Sequence, residues 1–119
     1  RFADDFLKSI FSENTFIRLP NILEMIRNVI LKTSPLSLAS TLIALAARTD
    51  TTPALSQISV PTLILVGEND TITTPKDAEE MKNKIPNSAY HIIPDAAHMS
   101  NLENTAAFNK HLFDFLEKI

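Results

Sequence analysis

The sequence predicts an α/β chain in which a purely helical segment precedes a β-α-β-α unit with two parallel strands. Three observations carry this prediction. Through residue 57 the apolar side chains recur at helical spacing. After Pro61 the period changes to two short β-prone runs, residues 62–66 and 89–93, with a helical stretch between them. Gly67, the only glycine, stops the first of these runs. Strands joined by a helix are expected to be parallel with a right-handed crossover, and parallel strands are normally covered on both faces. Two strands make a small sheet, so the architecture reads as the edge of something larger.

The elements follow in order. Phe2, Phe6, Leu7, Ile10 and Phe11 share one helical stripe, and Ile22, Met25, Ile26, Val29 and Ile30 form a second. Ser34-Pro35 reads as an N-cap followed by proline in the first turn, opening a third helix to about Ala47 through Leu38, Leu42 and Leu45. Thr52-Pro53 repeats the signal for a short turn ending near Gln57. Residues 62–66 are apolar on both faces, as in a central parallel strand. Thr74-Pro75 starts the next helix, with Asp77 placed for a capping box and Pro86 closing it. Asn104-Thr105 opens the last helix, whose Phe108, Leu112, Phe115, Leu116 and Ile119 fall along one face. The stripes are expected to be core faces rather than a lipid-binding surface, with Met25 and Met81 as core filler.

Composition narrows the class. With 119 residues, 45% hydrophobic and 21% charged, the chain is one small globular domain or a piece of a larger one, long enough for a real core. A net charge of −3 offers no basis for nucleic-acid or anionic-membrane partners. No apolar run approaches the roughly 20 residues that span a bilayer, and no signal-peptide pattern opens the chain. The absence of cysteine excludes disulfides and cysteine-based metal sites, and the cytoplasm is the default compartment. The chain starts at Arg1, and ordinary glycine usage of about 7% predicts about eight glycines where there is one. The glycine-rich part of a parent protein is therefore expected to lie elsewhere.

In open parallel sheets, ligands bind beyond the carboxyl ends of the strands. Asp70 and His98 each follow such an end. An aspartate bonded to one imidazole nitrogen fixes the tautomer and frees the other nitrogen to take a proton from a nucleophile. Asp70 alone, following Gly-Glu-Asn, reads more often as a turn residue, and His98 alone as a loop histidine. His91 in a strand and His111 in a helix read as structural or solvent-facing, and Asp95 as part of a Pro-Asp turn. Ser100, two residues from His98, is expected to cap the turn into the last helix with Glu103 rather than to act as a nucleophile.

VPTLILVGENDTITTP followed by IPNSAYHIIPDAAHMSNLENTAAFNKHLFDFL resembles the C-terminal end of the α/β-hydrolase fold, most closely the branch of 3-oxoadipate enol-lactone hydrolases and related carboxylesterases. The resemblance covers nearly the whole chain. It implies that residues 1–57 end a helical cap and that 58–119 are the C-terminal part of the core. The family's acid follows its strand in G-x-x-D, here Gly67-Glu68-Asn69-Asp70, and its histidine precedes the final helix, here His98. The family's G-x-G-H or G-A-G-H is Asp95-Ala96-Ala97-His98 here, and the proline common after S-N-L-E is absent. No G-x-S-x-G elbow or glycine-rich oxyanion loop occurs.

The resemblance implies a serine-type hydrolase of carboxylic esters or lactones, needing no cofactor and no metal. His98 would be its base and Asp70 its acid, with Ile72, Thr73 and Met99 lining the substrate pocket. The nucleophile would lie upstream, and this chain alone would be inactive. Neighbouring branches include haloalkane dehalogenases, cofactor-free haloperoxidases and proline iminopeptidases. Two alternatives stand beside this reading: a non-catalytic helical interaction module on a hydrolase-derived scaffold, and one half of a split hydrolase. The open edge of the strand at 62–66 also predicts self-association of the isolated chain, as a dimer through that edge or the cap helices.

Overall fold

The structure is a computed structural model describing residues 1–119. Four helices come first: α1 (Phe2–Ile10), α2 (Glu13–Arg18), α3 (Pro20–Lys32) and α4 (Pro35–Ala46), followed by a 3₁₀ turn at Thr52–Gln57. Then come β1 (Thr62–Gly67), α5 (Pro75–Lys84), β2 (Ser88–Ile93), the one-turn α6 (Ser100–Glu103) and α7 (Thr105–Leu116). The β-α-β-α order is as the sequence predicts. Helix α2 is not: its six residues are mostly polar and too short to show a period, and Pro20, at the first position of α3, separates the two.

The local signals act through identifiable bonds. Ser34 Oγ accepts from Ser37 N at 3.1 Å, and Asn104 Oδ1 accepts from Ala107 N at 3.2 Å. Thr74 and Asp77 form a reciprocal capping box, with Thr74 N donating to Asp77 Oδ2 at 2.8 Å. At the 3₁₀ turn the expected cap is different. Thr52 is already the first residue of the turn, the cap position Thr51 makes no side-chain cap bond, and Asp50 Oδ1 accepts from Thr52 N at 2.8 Å.

β1 and β2 pair in parallel, from Thr62 opposite Ser88 to Gly67 opposite Ile93. Alternation places Ile64 and Val66 on the face where they cluster with Ala78 and Ile85 around α5, with Leu55, Ile58 and Tyr90 at the margin. The opposite face carries His91, whose ring stacks on His111 of α7 with centroids 4.0 Å apart. The two helices therefore cover opposite faces. A separate cluster of Leu7, Ile10, Phe11 and Leu23 joins α1 to α3, with Ile22, Ile26, Ile30, Met99 and Leu102 packed against it.

The core is smaller than the length predicts. Only 18 of the 119 residues are buried. The radius of gyration is 16.0 Å, where about 13.5 Å is usual for a compact chain of this size. Helix α4 buries no residue, so Leu42 and Leu45 are surface rather than core. Phe2 and Phe6 stack on each other in solvent, and Leu116 and Ile119 are likewise exposed. Met25 and Met81 are 48% and 41% exposed and do not fill the core. The apolar positions recur at helical spacing as expected, but many of them face solvent, and α4 exposes Leu36, Leu42, Ile43 and Leu45 around its circumference. No single helix is long and apolar enough to cross a membrane.

Candidate functional site: a carboxylate–imidazole pair at the strand ends

Because β1 and β2 are adjacent and in register, the loops leaving Gly67 and Ile93 run side by side. Glu68 N donates to Ile93 O at 2.9 Å and Asn69 N to Ala96 O at 2.8 Å, lacing the two loops together. Such closeness requires Gly67. A Cβ there would overlap the Ala97 carbonyl oxygen and lie 2.5 Å from that of Ala96. The lone glycine is explained by close backbone approach rather than by an unusual dihedral.

The second loop turns at Asp95, the one non-glycine residue with positive φ, 54°. Aspartate tolerates this left-handed conformation better than most residues. It stands at the first glycine position of the pattern G-x-G-H, so the turn survives the loss of that glycine. Ala96 and Ala97 are then buried, at 0% and 4% exposure.

This arrangement brings Asp70 and His98 together, with Asp70 Oδ2 2.9 Å from His98 Nδ1. Asp70 is buried at 6% exposure, and its other oxygen accepts from the backbone N–H of Ile72 at 2.9 Å and of Thr73 at 3.0 Å. Thr73 Oγ1 donates to Oδ2 at 3.0 Å and lies 3.3 Å from His98 Nδ1. Burial alone would raise the Asp70 carboxyl; the bonds from His98, Ile72 N, Thr73 N and Thr73 Oγ1 outweigh it and hold the group below the usual carboxylate range. A carboxylate at Oδ2 makes Nδ1 the protonated ring nitrogen, leaving Nε2 as a free acceptor. The His98 side chain is about one-third exposed, so Nε2 can be reached. The chemical capacity is proton abstraction by a carboxylate-oriented imidazole.

The remaining predicted site residues sit around this pair. Ile72 is 49% exposed beside the acid. The Thr73 hydroxyl is engaged with Asp70, and Thr73 also lines a cleft with Arg48, Asp50, Leu55 and Met81. Met99 packs against the α1–α3 cluster. Of the three, only Ile72 presents an exposed apolar side chain next to the acid. His91 and His111 are far from this chemistry in role, stacked across β2 and α7. Asp95 turns the loop and lies 3.9 Å from the Arg18 guanidinium.

Two features escaped the sequence reading. The Thr73 hydroxyl adds a donor to the acid beside Ile72 N, Thr73 N and His98; the signal that could have found it is the Asp70-x-x-Thr73 interval, which suits a carboxylate receiving the N–H groups two and three residues on. The expected capping role of Ser100 and Glu103 is also wrong. Ser100 is the first residue of α6, whose N-terminus has no side-chain cap, and Glu103 turns inward to the α1–α2 corner and Ala97.

The pattern of the alpha/beta hydrolase fold matches residues 8–105. The chain belongs to the α/β-hydrolase fold family. The 3-oxoadipate enol-lactonase 1 of Acinetobacter baylyi is 37% identical over 73 residues, which is 61% of this chain and 27% of that protein. A thermophilic esterase from Thermogutta terrifontis overlays 98% of the chain with a TM-score of 0.93 at 34% identity. The enol-lactonase from Burkholderia xenovorans does so with a TM-score of 0.90 at 35% identity. The chain spans 43% and 44% of those two chains, well under two thirds of each.

Proposed function

We propose that this chain supplies the acid and base of a serine-type α/β hydrolase acting on carboxylic esters or lactones. The observation that carries the reading is the 2.9 Å contact between Asp70 Oδ2 and His98 Nδ1 at adjacent strand ends. The similarity to an enol-lactonase and an esterase supports the substrate class.

In this reading His98 Nε2 removes the proton from a serine hydroxyl as that oxygen attacks the substrate carbonyl. Asp70 stabilises the imidazolium that results, and the imidazolium returns the proton to the departing alkoxide. The same nitrogen then takes a proton from water as the water oxygen attacks the acyl carbonyl, and it returns that proton to the serine oxygen as the ester bond breaks and the acyl group leaves as a carboxylic acid. The serine and its oxyanion donors belong to a part of the protein outside this chain, because no glycine-flanked serine is present. Residues 1–57 roof the site as a cap, and Ile72 borders the acyl pocket with Thr73 and Met99 behind it. No metal or cofactor enters these steps.

The test uses a fluorophosphonate probe read by intact mass. The isolated chain is expected to take up none. The longest protein containing it is expected to take up one equivalent and to hydrolyse a p-nitrophenyl ester. There, Asp70→Asn lowers kcat by about 10⁴ through the wrong tautomer, by analogy with other triads. Full turnover in His98→Ala refutes the reading.

A further inference from the structure

A second buried carboxylate lies close behind the pair. Glu103, on α6, is 2% exposed. Its Oε1 accepts from Ser12 N at 2.7 Å and from Thr15 Oγ1 at 2.7 Å, and its Oε2 accepts from Ala97 N at 2.7 Å. Its two oxygens thus join the corner between α1 and α2 to the residue immediately before His98. A second strut runs beside it, with His98 N donating to Ile10 O at 3.0 Å at the end of α1. Arg18 of α2 donates to the Glu103 carbonyl at 3.0 Å.

A buried carboxylate is costly unless its lone pairs are used, and here three short charge-assisted bonds use them. Each end of the side chain faces a backbone N–H, Ser12 N at Oε1 and Ala97 N at Oε2. Glutamine would set its amide NH₂ against one of these N–H groups, whereas a carboxylate presents an acceptor to both. Filling the core would not demand such a group.

We propose that Glu103 is a positioning residue that holds the His98 loop at its height over Asp70 and couples that height to the α1–α2 corner. The proposal rests on His98 being the base, but its test reads loop geometry without any turnover. A failure here and a failure of the hydrolase reading are therefore distinguishable.

The experiment uses the ¹⁵N-labelled full chain, its Glu103→Gln variant and its Thr15→Val variant. Amide exchange is measured at Ala97, His98 and the amides of β1, together with the His98 Nδ1 proton signal and its pH titration. Thr15→Val removes one donor on the far side of Glu103, in a residue that makes no hydrogen bond to the His98 loop. It is expected to speed exchange at Ala97 and His98 about tenfold, and Glu103→Gln by about a hundredfold, with β1 unchanged. Glu103→Gln is further expected to weaken or abolish the Nδ1 proton signal. Faster exchange confined to α2 in Thr15→Val overturns the proposal. A uniform rise that includes β1, or a Glu103→Gln protein with a wild-type His98 signal and titration, overturns it as well. Should Glu103→Gln not fold, Thr15→Val alone decides.

Discussion

Replacing Gly67 by alanine is the sharpest test of how this site is built. In an ordinary strand position the change would stabilise by about 0.5–1 kcal/mol, because alanine has less backbone entropy to lose. Here the new Cβ overlaps Ala97 O and falls 2.5 Å from Ala96 O, where ordinary contact begins at 3.4 Å. The carbonyls must withdraw by about 1 Å, and packed interiors yield little at that scale. They are not free to do so. Asn69 N is bonded to Ala96 O at 2.8 Å, Ala97 N to Glu103, and His98 N to Ile10 O. Overpacking of this kind costs about 1–3 kcal/mol, and a broken buried hydrogen bond about 1–3 more. The expected loss is about 2–6 kcal/mol, a large part of a typical domain's stability, or roughly 6–30 °C in Tm. Thermal unfolding by circular dichroism measures it, with the His98 Nδ1 proton signal showing whether the surviving fold keeps the pair. A Gly67→Ala protein within about 2 °C of wild type, its Nδ1 signal intact, refutes the close-approach argument.

Two further expectations follow from the acid and from the open sheet edge. The Asp70 carboxyl is held below its usual range by its donors, so the folded chain binds its proton less readily than the unfolded chain, whose value is near 3.9. Its contribution is fully present above about pH 5 and is lost as pH falls through the folded value. The gap in urea midpoint between wild type and Asp70→Asn should be widest near neutrality and shrink below about pH 4; a constant gap down to about pH 3 contradicts the assignment. β1 pairs with β2 on one side only, and α4 leaves Leu36 and Ile43 77% and 69% exposed. The purified chain is expected to self-associate, with Leu65→Lys on that edge shifting it toward monomer. Light scattering that shows a monomer at every concentration removes this expectation.

The sequence by itself determined the longer elements, though not the short α2 and α6, and the chemistry they carry. The change of period at Pro61, the capping box at Thr74 and Asp77, and the Asn104 cap are local, and local hydrogen bonds and side-chain alternation specify them without help. Gly67-x-x-Asp70 and His98 were legible for the same reason, as residue types at fixed offsets from strand ends. What only the tertiary structure decided is where those ends meet. The parallel register sets Gly67 opposite Ile93, and the resulting approach of two backbones is what excludes a Cβ and delivers His98 to Asp70. Glu103 shows the limit most clearly. In sequence it sits where a capping partner of Ser100 would, yet its bonds run to Ser12 and Thr15, about ninety residues away. The fate of the apolar stripes belongs to the same class. Periodicity states that Leu38, Leu42 and Leu45 recur at helical spacing in α4, while burial depends on what lies against them, and in this chain Leu42 and Leu45 stay exposed. Propensity and patterning act over a few residues, whereas burial and long-range pairing are properties of the assembled fold.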